Sequence, residues 1–151
     1  MITINEFKTK LSSGSRLLGI DLGTKRIGIA ISDYNQKTAT PLQTLDKSKQ
    51  GKLIDELENI ISEYYIKGII IGNPINMDGT YGKSSQSAKD MAINISNKID
   101  IPVSLWDERL STVGAFNLSS ELDINVSKKE KDIDKFAAAF ILQGALDFIQ
   151  N

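Results

Sequence analysis

The sequence contains no cysteine and no histidine. Without cysteine there is no disulfide, no thiolate nucleophile and no structural zinc site of the usual kind. Without histidine there is no Ser-His-Asp triad. The chemistry that remains belongs to carboxylates, hydroxyls, lysine and bound metal ions. Carboxylates most readily build a site by binding Mg²⁺ or Mn²⁺, so acidic residues are the strongest candidates for function.

Long hydrophobic runs and an excess of one charge are also missing. No segment approaches the ~20 consecutive apolar residues of a membrane span, and the first residues lack the apolar stretch of a signal peptide. With 18 basic and 19 acidic residues the net charge is −1, so no global basic field indicates a nucleic-acid ligand. A length of 151 residues suits one domain. We therefore expect a single domain over 1–151, soluble and cytoplasmic, with no membrane partner.

The pattern of apolar residues predicts an α/β domain with a mixed sheet. Two β-branched runs, 17–22 and 27–32, are joined by four residues and indicate an antiparallel hairpin, which a third strand at 38–45 completes as a meander. The all-apolar run 68–71 is typical of a central parallel strand. The other predicted elements are helices at 50–64, 84–98 and 133–149, a helix opening near Ser111 and Thr112, and a strand at 102–106.

Three carboxylates end a strand or open a helix in this predicted order. Asp21 lies at the end of the first strand. Glu108 follows the strand at 102–106, and the carboxyl ends of strands are where α/β sheets build their sites. Asp134 lies in the first turn of the last predicted helix, on the stripe that faces the sheet. A single mixed sheet can bring all three to one edge, which predicts a metal site.

Each carboxylate also has a purely structural interpretation. Asp21 suits a turn that precedes Gly23. Glu108 suits a surface ion-pair cluster with its two neighbours in the chain, and Asp134 suits a cap that complements the helix dipole. Three such residues on separate elements together favour a functional site over coincidence.

Four stretches of sequence resemble, in order and spacing, the motifs of the YqgF/RuvX family of RNase H-like proteins. They are GIDLGTKRIGIAISD, GNPINMDGTYGKSSQSA, PVSLWDERLST and DKFAAAFILQGALD. Members of that family are described as Holliday-junction resolvases or as pre-16S rRNA nucleases. The resemblance covers about 16–148 and leaves 1–15 as an N-terminal extension. It departs from the family's usual Gly-Leu-Pro motif at residues 72–74, which read Gly-Asn-Pro.

The resemblance implies an RNase H-like fold, in which a mixed five-stranded sheet with its first three strands antiparallel is flanked by helices. It also implies a divalent-metal nuclease site, in which Asp21, Glu108 and Asp134 are catalytic and hold one or two Mg²⁺ or Mn²⁺ ions. In such a site one ion activates a water and the other stabilises the leaving oxygen, which needs no histidine. The expected enzyme is a hydrolase that cuts phosphodiester bonds in structured nucleic acid.

Cations and loop residues near these motifs are candidates for contact with nucleic acid. Arg109 carries a planar fork that suits bidentate phosphate contact. Tyr81 and Trp106 are candidates to stack on bases, although Trp106 suits the core equally well. A glycine- and serine-rich loop that includes Ser85 suits contact with a nucleic-acid backbone. The predicted nucleic-acid-binding residues are Thr24, Lys25, Arg26, Lys83 and Arg109.

Three functions remain open from the sequence. The favoured one is trimming of the 5′ end of precursor 16S rRNA in ribosome biogenesis, in association with a ribosomal precursor, with branched DNA as the rival substrate. The second is a nucleic-acid-binding module without catalysis, which the near-neutral charge supports. The third is an ATP-binding relative of actin-like domains, suggested by residues 21–24, although that scheme ordinarily needs two domains. The oligomeric state is open, because a junction resolvase needs two sites related by a two-fold axis whereas an rRNA trimmer can act as a monomer.

Overall fold

A five-stranded sheet forms the centre of the computed structural model, which describes residues 1–23, 25–74, 78–80, 82–107 and 126–151. Side chains are described throughout these ranges except at 49–51, 84 and 126–133. In chain order the strands are β1 (Arg16–Leu22), β2 (Arg26–Ser32), β3 (Ala39–Asp46), β4 (Ile66–Asn73) and β5 (Val103–Asp107).

The strands lie in the order β3-β2-β1-β4-β5. β1 pairs antiparallel with β2, and β2 pairs antiparallel with β3, which confirms the predicted meander. β1 pairs parallel with β4, and β4 pairs parallel with β5. Because β1, β4 and β5 run in the same direction, their carboxyl ends meet at one edge of the sheet, which we call the carboxyl edge.

Helices cover both faces of the sheet. The described helices are α1 (Ile4–Lys10), α2 (Gln50–Tyr64), α3 (Lys83–Lys98) and α4 (Val126–Gln150), and a 3₁₀ turn at Lys47–Lys49 precedes α2. Leu18 and Ile20 of β1 pack with α2 and α3, whereas Leu17 packs with α1 and α4. Alternation along β1 therefore puts Asp21 on the α4 face. Among the described helices, none is long and apolar enough to cross a lipid bilayer.

Two predicted boundaries are wrong in ways that concern the site. β2 begins at Arg26, so three residues rather than four connect β1 to β2. The last helix begins at Val126 instead of near 133, because a run of good helix formers, lysine and glutamate, precedes its apolar stripe. Asp134 is therefore the ninth residue of α4 and not a first-turn residue, so the helix-cap interpretation is wrong. The helix predicted near Ser111 and Thr112 lies outside the described residues.

The N-terminal extension is part of the packed domain. Phe7 of α1 is fully buried, and a Cβ built on Gly68 of β4 would lie 2.7 Å from its ring. The Ile2 N–H donates to the Val103 carbonyl oxygen at 2.9 Å, and Ile2 forms a parallel bridge with Ser104 at the edge of β5. Sequence reasoning missed this helix because its seven residues contain only one fully buried side chain, Phe7, and one partly buried apolar side chain, Ile4.

Candidate active site

Asp21 and Asp134 come together on the α4 face at the carboxyl edge. Asp21 of β1 pairs with Gly28 of β2. A Cβ built on Gly28 would collide with the backbone oxygen and carbon of Asp134, so α4 passes directly over Gly28. Paired residues of antiparallel strands point to the same face. The Asp21 side chain therefore lies on the face that Asp134 covers, next to that residue.

Small residues on both surfaces let α4 approach the sheet this closely. On the sheet, a Cβ built on Gly19 would lie 2.7 Å from the Leu142 Cβ. On the helix, Ala138 and Ala145 are fully buried. Asp134 shares with them the stripe that faces the sheet, as predicted. Backbone packing, more than any side-chain contact, thus fixes where Asp134 sits.

Arg26 holds one oxygen of Asp134. Its Nε donates to Asp134 Oδ2 at 2.8 Å, across 108 residues of chain. The side chains are 30% and 21% exposed, so the pair is partly screened by solvent. The other oxygen, Oδ1, lies 3.6 Å from a Cβ built on Gly23 and is thus on the side of the turn after β1. Sequence reasoning missed this ion pair because no periodicity links two residues so far apart.

The turn between β1 and β2 is tied at three points. The Gly23 N–H donates to the Arg26 carbonyl oxygen at 2.9 Å, and the Lys47 N–H donates to the Lys25 carbonyl oxygen at 3.0 Å. Lys47 Nζ also donates to the Gly23 carbonyl oxygen at 3.3 Å. These bonds place Lys25, which is exposed, in the turn at the carboxyl edge. Its predicted neighbour Thr24 lies outside the described residues.

Of the three remaining predicted site residues, the structure describes only Lys83. Glu108 and Arg109 lie outside the described residues, and they directly follow Asp107, the last residue of β5 at the carboxyl edge. Lys83 is the exposed first residue of α3. Within the described ranges, which exclude Glu108, no three acidic, histidine or cysteine side chains are grouped closely enough to hold a metal ion.

Two predicted nucleic-acid contacts are interior residues instead. Ser85 is fully buried in α3, and its hydroxyl donates to Asn73 Oδ1 at 2.6 Å. This bond satisfies the amide oxygen at the position where the Gly-Asn-Pro motif departs from the family pattern. Trp106 is 7% exposed, with its ring centroid 5.9 Å from that of Phe148, so its base-stacking role is wrong and its core role is confirmed. Tyr81 lies outside the described residues.

A model of the RuvX family, described as Holliday junction resolvase, matches residues 15–148. This chain belongs to the RuvX family. A relative from Pelagibacter ubique (strain HTCC1062) is 61% identical over 151 residues and covers 100% of both chains. A relative from Ruegeria pomeroyi is 43% identical over 149 residues, 99% of this chain and 97% of its own. Both carry the provisional name pre-16S rRNA nuclease.

Solved structures give the same fold for this RuvX protein. The structure titled T. thermophilus RuvC in complex with Holliday junction substrate superimposes with a TM-score of 0.53, at 12% identity, over 84% of this chain and 91% of that one. A second Thermus thermophilus RuvC structure gives 0.51 at 11% identity over 83% and 92%. The RNase H-like fold is therefore confirmed. RuvX membership also confirms the predicted enzyme class, a nuclease that hydrolyses phosphodiester bonds.

Proposed function

We propose that this RuvX protein is a divalent-metal-dependent endonuclease that processes the 5′ end of precursor 16S rRNA in the cytoplasm. One observation carries the proposal: Asp21 and Asp134, far apart in the sequence, meet on one face of the sheet at its carboxyl edge. The names of two relatives, which match 100% and 99% of the chain at 61% and 43% identity, support the choice of RNA as substrate.

The donor set fits Mg²⁺ or Mn²⁺. Asp21 and Asp134 offer hard carboxylate oxygens, and Oδ1 of Asp134 lies on the side of the turn that follows Asp21. Glu108 is the third proposed ligand, since it follows β5 at the same edge. When bound, the metal supplies an activated water and stabilises the leaving oxygen of the phosphodiester.

The chain's own residues orient this donor set. Arg26 holds Oδ2 of Asp134, which fixes the rotation of that carboxylate. The exposed Lys25 stands at the same edge, where it can bind a phosphate of the substrate strand as a point charge. Arg26 and Arg109 stay predicted phosphate contacts.

The substrate and the metal requirement are tested together. A labelled precursor 16S rRNA 5′ leader is incubated with the protein and Mg²⁺ or Mn²⁺, beside a four-way DNA junction and an RNA that begins at the mature 5′ end. We expect cleavage of the precursor alone, its loss in EDTA and its return with added Mg²⁺. Cleavage of the junction alone would move the substrate to branched DNA. Binding of both without cleavage would favour the non-catalytic module.

Branched DNA is the second candidate substrate. The description of the matching family model favours it, as does a fold shared with RuvC. Family membership over residues 15–148 argues against the ATP-binding alternative.

The Arg26 ion pair gives a separate prediction about metal affinity. We expect Arg26→Gln to weaken Mn²⁺ binding by about tenfold, because outer-sphere partners that orient a ligand contribute on this scale. Calorimetric titration with Mn²⁺ measures the change without any substrate. Lys52→Gln, on the exposed surface of α2, removes the same charge and should leave the affinity unchanged. Equal Mn²⁺ affinities for all three proteins would exclude a positioning role for Arg26.

A further inference from the structure

A groove separates α2 from α3 on the face of the sheet opposite Asp134. Its volume is about 640 Å³, and it reaches the carboxyl edge, where Leu22 lines it. Leu22 directly follows Asp21, and consecutive strand residues point to opposite faces. The groove and the paired carboxylates therefore share one edge of the sheet from its two sides. Ligand sites in open α/β sheets favour this edge.

The groove has an apolar floor and a polar rim. Leu22, Leu53 and Met91 line the floor. On the rim, Lys47 lies at the carboxyl edge. Asp90 and Asn94 of α3 are exposed, and because they are four residues apart they lie on the same side of that helix. An apolar slot bordered by a cation, a carboxylate and an amide matches a nucleotide, which has a flat base, polar base edges and a phosphate.

Lys47 connects the groove to the candidate active site. Its Nζ donates to the carbonyl oxygen of Gly23, in the turn that directly follows β1. An ammonium group has three donors, so this bond leaves Lys47 able to hold a phosphate beside the turn. Asp21 and Leu22 are consecutive, and their side chains lie on opposite faces of the sheet. A strand whose phosphodiester lies at Asp21 and Asp134 can thus place its next nucleotide in the groove by passing around the carboxyl edge, at the turn that Lys47 contacts.

The rim also favours one type of base. Asp90 Oδ1 accepts a bond from Gln86 Nε2 at 2.9 Å, and an ionised carboxylate can only accept. Adenine, cytosine and guanine carry an exocyclic amino group with two N–H donors for such an acceptor, whereas uracil has no amino group and offers only its single N3–H. Met91 adds a flexible thioether that adapts to flat rings and makes favourable sulfur–aromatic contacts.

We propose that the groove between α2 and α3 is a subsite for one unpaired nucleotide of the substrate strand, next to the cleaved bond, with a preference for a base that carries an amino group. The subsite rests on the proposed function, because the nucleotide belongs to the nucleic acid that the carboxylate site cuts. It adds to that function a position at which the enzyme recognises its substrate.

Methyl NMR tests the subsite without any cleavage. The chain has three methionines, and Met91→Leu assigns the signal of the methionine in the groove. AMP, CMP, GMP and UMP are titrated separately, once with Mg²⁺ and once with EDTA. We expect the Met91 methyl signal to shift saturably with AMP, CMP and GMP in both buffers. UMP should bind several-fold more weakly, since it lacks the amino donor for Asp90.

A matched pair of variants separates the groove from the rest of α3. Asn94→Ala removes a rim amide and should weaken AMP binding three- to tenfold. Asn97→Ala removes the same group from an exposed position outside the groove and should leave AMP binding unchanged. Equal losses in the two variants would overturn the subsite, as would a Met91 signal that no nucleotide shifts. A Met91 signal that responds only to protein concentration would overturn it too, since the groove would then receive a second copy of the chain.

The subsite and the nuclease can fail separately. Saturable nucleotide binding without cleavage of the rRNA leader or the junction would support a nucleotide site in the groove and contradict the proposed function. Cleavage without any nucleotide-dependent shift at Met91 would support the proposed function and contradict the nucleotide site. In an active enzyme, an abasic residue next to the cut should raise KM in the wild type and much less in Asn94→Ala. Equal rises would contradict recognition through the groove.

Discussion

Asp21→Asn is expected to abolish cleavage of the precursor RNA while leaving RNA binding intact or tighter. Asparagine keeps the shape of the side chain but removes the charged oxygen that a hard cation requires. The loss of activity should exceed roughly a hundredfold, because even outer-sphere partners of metal ligands contribute ten- to a hundredfold. Binding should persist because the variant repels polyanions less. Cleavage rates and fluorescence anisotropy, measured on the same labelled leader, check the two halves of this result.

The matched control for this prediction lies on α4. Asp147 is exposed thirteen residues after Asp134, about 20 Å further along the helix axis, and its Oδ1 accepts a bond from Gln143. Asp147→Asn makes the same chemical change and should cut at the wild-type rate. Asp134→Asn should behave like Asp21→Asn and should also lose part of its bond to Arg26. Wild-type cleavage by Asp21→Asn would remove the carboxylate site from the mechanism.

Gly28→Ala is expected to destabilise the protein by about 3 kcal/mol. The added methyl group would occupy the space of the Asp134 backbone. Neither a strand that is paired on both sides nor a helix backbone can rotate away as a side chain does. Urea unfolding, followed by circular dichroism, measures the change in the free energy of unfolding. The folded fraction should also cleave more slowly, because Asp134 must move away from Asp21.

Gly14→Ala separates this clash from the general effect of replacing a glycine. Gly14 has φ of 79°, and a Cβ built there meets nothing within 4 Å. Gly14→Ala should therefore destabilise the protein by only about 1 kcal/mol, because alanine is disfavoured in the left-handed backbone conformation. If both variants lose the same free energy of unfolding, Gly28 is not needed for the close approach of α4 to β2.

The sequence predicted the sheet well because its signals are local. Alternation along β1 fixed the face of Asp21, and the apolar stripe of α4 fixed the face of Asp134. The start of α4 was mispredicted because residues 126–131 form a helix without an apolar stripe. The Arg26–Asp134 pair and the groove beside Leu22 depend on how distant elements pack, and no local pattern in one chain encodes that packing.

The two carboxylates of the candidate site lie on elements that leave the ribosome at different times. β1 carries one carboxylate and α4, the last helix, carries the other, and the Arg26–Asp134 bond spans 108 residues. Contacts of such separation form slowly, because closing the long intervening segment costs conformational entropy. A growing chain that has not yet released α4 therefore has β1 and β2 but no second carboxylate over Gly28. The pairing of Asp21 with Asp134, on which the proposed function rests, can thus form only after α4 has left the ribosome.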